Sequence, residues 1–360
     1  MLTDVRNLTK HECENLAMSV GFPAFRGRQL FHAVQYGKIR LREINNLPKS
    51  FVSSISETCE LSDLDMLRIQ ESDEDGTIKF LFALKDGNAV ETVLMKYKYG
   101  NSLCISSQAG CAMGCSFCAS GVKGLTRNLT AGEMIAQILD AKFIAFNRMK
   151  NNAGFDRKHC RIGHIVVMGT GEPFANYHEL SRFIEIISDS EGRNLGMRNL
   201  TVSTCGLIPV IKRFAEEFPQ VNLAISLHAA TDDVRDKIMP INLKYPIEDL
   251  LNAARDYTDI THRRVTFEYA MMEGINDGDD QIEMLCLKLK GILCHVNLIP
   301  LNKVKESEIF PSSRKRLIMF KRELENQGIP VTIRRQLGSD IDGACGQLRL
   351  EKTELAGQNL

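Results

Sequence analysis

The stretch CAMGCSFCASG, residues 111–121, contains Cys111, Cys115 and Cys118 in the spacing C-x3-C-x2-C. Three thiolates this close together on one loop can converge on a single metal centre. A structural zinc site normally takes four protein ligands, whereas a [4Fe–4S] cluster held by three cysteines keeps one iron open for a substrate or cofactor. The spacing therefore predicts an iron–sulfur cluster. A zinc knuckle completed by Cys104 and an accidental grouping of thiols are the alternatives.

The chain around this loop has the rhythm of an α/β barrel. From about residue 100, strand-like and helix-like segments alternate, which is typical of a barrel or partial barrel of parallel strands. The strand candidates are nearly continuously apolar, as expected for strands that helices cover. They are SLCISSQ (102–108), HIVVMGTGE (164–172), NLTVSTCG (199–206), VNLAISLHA (221–229), RVTFEYAMM (264–272), CHVNLIPLN (294–302) and VTIRRQL (331–337). The pair Thr130 and Glu133 has the capping-box spacing that predicts the start of one intervening helix.

Several of these strands end in small or polar residues. The endings are GTGEP, STCG, SLHA and NLIPLN. Because the carboxyl ends of parallel strands form the ligand-binding edge of α/β folds, four such endings in succession predict one shared site rather than four separate turns.

The chain divides into a helical beginning, a hairpin, a barrel and a tail. Residues 1–60 have apolar residues at helical spacing. Residues 61–96 contain two strand candidates separated by the turn signal KDGN, which predicts a hairpin linker. Residues 97–350 form the predicted barrel with a glycine-rich C-terminal loop, and 351–360 are a tail.

Composition favours a folded protein without a membrane segment. Formal charge is balanced at 45 basic and 45 acidic residues, which argues against a purely electrostatic nucleic-acid binder but leaves room for local basic patches. No apolar run reaches membrane-spanning length and the start lacks a signal-peptide pattern, so the expected location is the cytoplasm. Eleven cysteines in such a chain suggest metal or redox chemistry rather than a disulfide framework.

Taken together, these motifs resemble the radical S-adenosylmethionine (SAM) superfamily, in which C-x3-C-x2-C on the loop after the first barrel strand combines with a GEP motif after the second. Within it, the chain resembles the RlmN/Cfr family of adenosine methyltransferases from about residue 20 to 350, and more closely the RlmN side, which methylates carbon 2 of adenine, than the Cfr side, which methylates carbon 8. The motifs are VETVLMKY, CISSQAGCAMGCSFCASG, LTAGEM, MGTGEPFANY, STCGLIP, ISLHAATDDVRDKIMPIN, FEYAMMEGIND, HVNLIPLN and GSDIDGACGQL. Thr170 stands where many members have methionine.

The resemblance implies a radical SAM partial (β/α)6 barrel with a helical N-terminal accessory domain and a C-terminal catalytic-cysteine loop. It implies one [4Fe–4S] cluster with the ligands Cys111, Cys115 and Cys118, whose open iron chelates SAM and whose reduced form cleaves SAM to a 5′-deoxyadenosyl radical. The implied SAM contacts lie at the strand ends. They are Gly171, Glu172, Ser203, Ser226, Leu227, His228 and Asn302. The remaining cysteines, Cys205 among them, are interpreted as small buried residues or ordinary thiols.

Carbon 2 of adenine is electrophilic and cannot attack the methyl group of SAM, so a carbon radical has to add to it. The resemblance implies that Cys345 takes a methyl group from one SAM and that the radical from a second SAM removes a hydrogen atom from it. The carbon radical formed on the S-methyl group of Cys345 adds to the adenine and links the enzyme to RNA. Cys104 is the implied resolving thiol, which forms a disulfide with Cys345 and releases the product. Glu91 is the implied proton acceptor.

The implied substrates are one adenosine of 23S rRNA and the adenosine 3′ of the anticodon in tRNAs. Residues 1–60 are the implied RNA-binding accessory domain, with Arg26, Arg28 and Lys79 as candidate contacts. The electron donor is expected to be a flavodoxin or ferredoxin, and the enzyme a monomer. Two other hypotheses remain: a carbon-8 methyltransferase, and a zinc-dependent RNA-binding protein without catalysis.

Overall fold

The computed structural model describes residues 2–36, 41–150, 161–302, 307–343 and 346–348. Its helices are α1 (Lys10–Ser19), α2 (Ala24–Gln35), α3 (Lys49–Ser56), α4 (Ala131–Met149), α5 (Tyr177–Ser188), α6 (Ile208–Glu217), α7 (Asp232–Ile238), α8 (Ile247–Thr261), α9 (Asp279–Leu289) and α10 (Arg314–Asn326). No helix of the described residues has the length and apolar character needed to cross a bilayer.

The strands form one large sheet and two small ones. They are β1 (Thr3–Asp4), β2 (Cys59–Glu60), β3 (Asp65–Glu71), β4 (Ile78–Ala83), β5 (Ala89–Tyr97), β6 (Gly100–Ile105), β7 (Gln108–Gly110), β8 (Leu125–Asn128), β9 (Ile162–Val167), β10 (Leu200–Thr204), β11 (Asn222–Ser226), β12 (Val265–Met271), β13 (Cys294–Pro300) and β14 (Val331–Ile333). The large sheet has the order β14-β13-β12-β11-β10-β9-β6-β5-β4-β3.

The part of the sheet from β6 to β14 is parallel, and intervening helices connect most of its strands. Each of the segments predicted as a parallel strand overlaps one of these strands, although β6 and β9 begin two residues earlier than predicted, and the predicted partial barrel of the radical SAM type is confirmed. The predicted start of α4 is also confirmed, since Thr130 and Glu133 form a reciprocal capping box.

The expectation of nearly continuously apolar, covered strands fits β11 and β12, which are buried along most of their length, but not β10. On β10, Leu200, Val202 and Thr204 are buried, while Thr201 and Ser203 are half-buried. The same alternation is present on the first five residues of β13, and β9 also mixes buried with half-buried residues. The half-buried Ser203 and Thr201 of β10 line clefts, so this part of the interior is open instead of forming the packed core of a closed barrel.

The hairpin of residues 61–96 belongs to the large sheet. Strand β5 pairs antiparallel with both β4 and β6, so β3, β4 and β5 extend the parallel sheet beyond its first barrel strand. The segment that follows β14 then reaches this extension. The backbone N–H of Gly338 donates to Asp75 Oδ2 at 2.9 Å, in the turn between β3 and β4. The C-terminal segment therefore joins the two opposite ends of the ten-stranded sheet.

The N-terminal region is mainly helical, as predicted. Helix α1 begins at a capping box between Thr9 and Glu12. It packs closely against α2, where a Cβ on Gly27 would lie 2.1 Å from the carbonyl oxygen of Cys13, so only glycine permits this helix crossing.

Candidate active site

The carboxyl ends of the barrel strands and the cysteine loop line one cleft. It encloses about 960 Å³ of empty space, open solvent at its mouth included. Most of the predicted cluster and SAM residues come together here. They are Cys111, Cys115, Cys118, Gly171, Glu172, Ser203, Ser226, His228 and Asn302. The Leu227 side chain is buried in the core instead, and only its main chain takes part at the strand end, with its N–H donating to the Glu268 carbonyl at 3.1 Å.

The cysteine loop is held by main-chain hydrogen bonds on both sides. The N–H of Cys111 donates to the Gly124 carbonyl at 3.0 Å, and that of Ser116 donates to the Ile238 carbonyl at 3.0 Å, at the end of α7. Gly110 has φ +81°, and a Cβ there would lie 2.0 Å from the Gly124 oxygen. The loop can therefore close only with glycine at this position.

The three thiols suit a cationic centre. Burial raises the pKa of the Cys111 thiol to about 11, and burial, followed by the neighbouring Cys118 and Cys111, raises the pKa of Cys115 further. Several thiolates can form here together only if a bound cation compensates their charge. Among the described residues, no three Cys, His, Asp or Glu side chains are grouped to hold a single metal ion. Three thiols on one short loop are the donor set of a [4Fe–4S] cluster in which each thiolate binds a separate iron, so the residues fit such a cluster.

Glu172 is a buried carboxylate whose two oxygens accept main-chain hydrogen bonds. Oε1 accepts from the N–H of Phe174 at 2.9 Å, and Oε2 accepts from that of Cys205 at 2.7 Å. Burial raises the pKa of Glu172, although these hydrogen bonds oppose the shift. Gly171 has φ +110°, and a Cβ there would lie 2.6 Å from Gln108. The glycine thus lets the strand end approach Gln108 while it directs Glu172 to the cleft.

His228 is a neutral hydrogen-bond donor. Its Nδ1 accepts from the main-chain N–H of Ala270 at 2.9 Å, so the ring proton lies on Nε2. Burial, and then the positive charge of Arg235, lowers the pKa of His228 to about 3. The ring meets Phe117 edge-on, with centroids 4.9 Å apart. The aromatic residue before Cys118 therefore packs directly on one of the predicted SAM contacts.

Cys345 lies outside the described residues, but the chain on both sides of it is described. Gly346 lines the cleft, and its carbonyl accepts from the N–H of Ala119 at 2.8 Å. Ser120 Oγ donates to the Leu348 carbonyl at 2.8 Å. The chain that follows Cys345 is thus bound to the turn immediately after Cys118.

Cys104 lies on β6 in a second pocket beside the cleft. The two pockets share Met168, Asn302 and Arg334 in their walls. Gly343 and Leu348, which flank Cys345 in sequence, also line the Cys104 pocket. The described cysteines form no disulfide with one another. The predicted pairing of Cys104 with Cys345 stays a prediction.

Glu91 forms a buried ion pair. Its Oε1 lies 3.1 Å from Lys79 Nζ, and less than a tenth of either side chain is exposed. Lys79 also donates to the Asp342 carbonyl at 3.2 Å, three residues before Cys345. The prediction that Lys79 contacts RNA is therefore wrong, because a buried ammonium that is paired with a carboxylate cannot reach a phosphate. Arg26 and Arg28 lie on the surface of α2.

Sequence reasoning missed Arg235, which is fully buried behind the strand ends. Its guanidinium donates to the carbonyls of Cys205 at 2.8 Å, Ser226 at 3.0 Å and Leu227 at 2.9 Å. One side chain therefore fixes the ends of both β10 and β11. The arginine stands in the quoted stretch DDVRDK, but an arginine in a charged helix gives no sign of burial. Cys205 and Glu268 were also missed, and both line the cleft.

Comparison with known proteins agrees with this geometry. Residues 105–286 match the family model described as the radical SAM superfamily. The chain is 46% identical to a probable dual-specificity RNA methyltransferase RlmN of Alkaliphilus metalliredigens, over 96% of this chain and 95% of the relative. It is 42% identical to the protein of the same name from Thermoanaerobacter sp., over 96% and 97%. A crystal structure of a radical SAM methyltransferase from Sphaerobacter thermophilus superposes with a TM-score of 0.89 at 44% identity, covering 96% of this chain and 99% of that one.

Proposed function

The chain belongs to the RlmN family of radical SAM RNA methyltransferases, and we propose that it methylates carbon 2 of one adenosine in 23S rRNA and of the adenosine 3′ of the anticodon in tRNAs. Family membership makes the hypothesis of a zinc-dependent RNA-binding protein without catalysis wrong. The similarity to several relatives named RlmN, at 42–46% identity over nearly the whole chain, supports carbon 2 over carbon 8.

The observation that carries the proposal is the meeting of three thiol-bearing segments. The cysteine loop, β6 with Cys104 and the two flanks of Cys345 border two adjoining pockets. A methyltransferase that used SAM directly would need no such thiols. A transfer through S-methylcysteine needs one thiol to carry the carbon and a second to release it.

The cleft residues would hold the cluster and SAM. Cys111, Cys115 and Cys118 would ligate the cluster, and Glu172 and His228 would offer an acceptor and a donor to SAM. When bound, the cluster and SAM supply a methyl group in one step and a hydrogen-abstracting carbon radical in another. The half-buried Ser203 and Ser226 on the inner face would add hydrogen bonds, while Phe117 shields the cysteine loop from water.

The thiols of Cys345 and Cys104 would carry and release the transferred carbon. Cys345 accepts the methyl group on sulfur and gives up one hydrogen atom from it, and the carbon radical so formed bonds to carbon 2 of adenine; the adduct then loses the carbon-2 proton and one electron, which would return to the oxidised cluster. The Cys104 thiolate then attacks the Cys345 sulfur and a disulfide forms; the carbon–sulfur bond breaks, and its electron pair stays on the carbon, which takes up a proton and becomes the methyl group. An external thiol must reduce this disulfide before the next turnover. The position of Cys104 beside Gly343 and Leu348 supports this role.

Glu91 would accept the proton that leaves carbon 2. The contact from Lys79 to the Asp342 carbonyl links this carboxylate to the segment that carries Cys345. Because Glu91 is linked to the segment that carries Cys345, its carboxylate can reach the adenine only while that segment is in place. This would keep proton removal in step with carbon transfer.

The proposal extends to the conditions of catalysis. The substrates are RNA, the cluster takes electrons from a flavodoxin or ferredoxin, and the enzyme acts as a cytoplasmic monomer.

Mass spectrometry of nucleosides from treated RNA tests the proposal. The anaerobically reconstituted enzyme is incubated with SAM, a one-electron reductant and either a 23S rRNA fragment or tRNA. We expect 2-methyladenosine from both RNAs. A product that is only 8-methyladenosine would establish the carbon-8 alternative, and a product from only one RNA would remove dual specificity.

A further inference from the structure

A second, wider cleft adjoins the cofactor cleft. It encloses about 1720 Å³ of empty space, open solvent included, and shares Met168, Glu268 and Arg334 with the cofactor cleft. We name it the arginine cleft because four arginines line it, together with two tyrosines. These residues are Arg263, Arg264, Arg334, Arg335, Tyr97 and Tyr99. The two clefts therefore adjoin at Met168, Glu268 and Arg334.

The arginine cleft has a strong excess of positive charge. Its walls contain four arginines and one carboxylate, Glu268. That carboxylate is engaged, since it lies 3.8 Å from Arg334 and accepts from Asn297 at 3.0 Å. Arg264 and Arg335 are exposed and form no ion pair with other described residues. Their charge is therefore available to an anionic ligand.

An ordered aromatic side chain stands at the same cleft. Tyr99 is 66% exposed, although it is held by two rings. It stacks on Tyr97 with centroids 4.9 Å apart and an angle of 8°, and it meets His164 edge-on at 5.1 Å. A tyrosine that neighbours hold in place while it faces solvent is a stacking surface for a nucleobase.

We infer that the arginine cleft binds the single-stranded RNA next to the target adenosine, with phosphates on Arg264 and Arg335 and a neighbouring base on Tyr99. Arginines without carboxylate partners, beside an exposed aromatic ring, form the combination that binds single-stranded nucleic acid. The inference rests on the proposed function in one respect, that the substrate is an RNA whose target base enters the cofactor cleft.

The charge part is tested by the salt dependence of RNA binding. The double variant Arg264→Ala/Arg335→Ala of the full-length holoenzyme is compared with wild type, using a fluorescent tRNA anticodon stem-loop from 50 to 300 mM salt. Each phosphate contact contributes about 0.7–0.9 to the slope of log Kd against log salt, so the slope should fall by about 1.5. The control is Arg255→Ala/Arg322→Ala, which removes two arginines from α8 and α10 outside both clefts. A slope equal to that of the control would overturn the inference.

The stacking part is tested with 2-aminopurine placed beside the target adenosine. Its fluorescence should be quenched on binding to wild type and to Tyr99→Phe, and should stay high with Tyr99→Ala. Quenching that survives in Tyr99→Ala would overturn the role of Tyr99. SAM affinity is measured in every variant and should stay unchanged, which separates the arginine cleft from the cofactor cleft.

Failure of this inference and failure of the proposed function give different results. If wild type forms no methyladenosine in either RNA, the proposed function fails. If wild type methylates RNA but the arginine double variant keeps the wild-type salt slope, only the arginine cleft is excluded as a binding site.

Discussion

The two sides of the active-site cleft are built in different ways. The strand-end side, comprising Gly171, Glu172, Ser203, Ser226 and His228, lies on successive βα units, and local hydrogen bonds fix it. The arm side consists of Lys79, Glu91, Cys104 and residues 338–343 and 346–348, and it depends on contacts between positions some 230–260 residues apart in sequence. The difference suggests that cofactor binding can survive damage to the arm side, whereas carbon transfer cannot.

The largest effect should come from removing the carrier thiol. Cys345→Ala should abolish RNA methylation while iron content and visible absorbance stay at wild-type values, because the strand-end side and the cysteine loop are untouched. The matched variant Cys118→Ala should lose both iron and activity. Methylation by Cys345→Ala would exclude the arm from chemistry, and loss of its cluster would mean that the two sides are not independent.

Cys104→Ala should stop the reaction one step later. The carbon can still be added to the base, but no thiol is left to release it, so a protein–RNA adduct should accumulate on denaturing gels. The control Cys205→Ala changes a different buried cysteine, which lines the cofactor cleft, and should give no adduct. Free methylated product from Cys104→Ala at the wild-type rate would exclude this thiol as the resolving group.

The strand-end side could be predicted from sequence, and the arm side only in part. The stretches GTGEP and SLHA could be placed from sequence because a polar ending after an apolar strand indicates the ligand-binding edge of a parallel sheet. The pairing of Lys79 with Glu91 could not be predicted, since it needs the register of β4 against β5, in which Leu81 and not Lys79 faces Glu91 directly. Arg235 was missed for a similar reason, because its burial depends on strand ends that lie elsewhere in the chain.

The Lys79–Glu91 pair should be the main stabilising contact of the arm side. Lys79→Met removes the ammonium group that faces the buried Glu91 carboxylate and should lower the free energy of unfolding by about 3 kcal/mol. In Lys79→Met/Glu91→Gln no charge remains, so most of that loss should be recovered in urea unfolding, while methylation stays impaired if Glu91 is the base. A double variant no more stable than the single one would show that charge compensation is not the reason for the pair.

On the strand-end side, His228 should make stability depend on pH. Its pKa is lowered from 6.5 to about 3 in the fold, so the unfolded chain binds more protons between these values and stability falls as pH drops below 6.5. From pH 7 to pH 5 this contributes a loss of about 2 kcal/mol. In urea unfolding, His228→Gln should lose about 2 kcal/mol less free energy of unfolding than wild type between pH 7 and pH 5. His178→Gln, which changes an exposed histidine, should behave like wild type.

The smallest effect concerns one hydrogen bond between the cysteine loop and the arm side. Ser120 follows the cysteine loop and donates to Leu348 on the arm, and its loss in Ser120→Ala should cost about 1 kcal/mol. If that energy positions Cys345 for transfer, the methylation rate should fall by about fivefold, with iron content and SAM affinity unchanged. Ser116→Ala, on the same loop but exposed, is the matched control. A fall in iron content would instead mean that the arm supports the cluster. Rates equal to the control would mean that the other described contacts of this segment, such as the hydrogen bond from the Ala119 N–H to the Gly346 carbonyl, position Cys345 without the Ser120 contact.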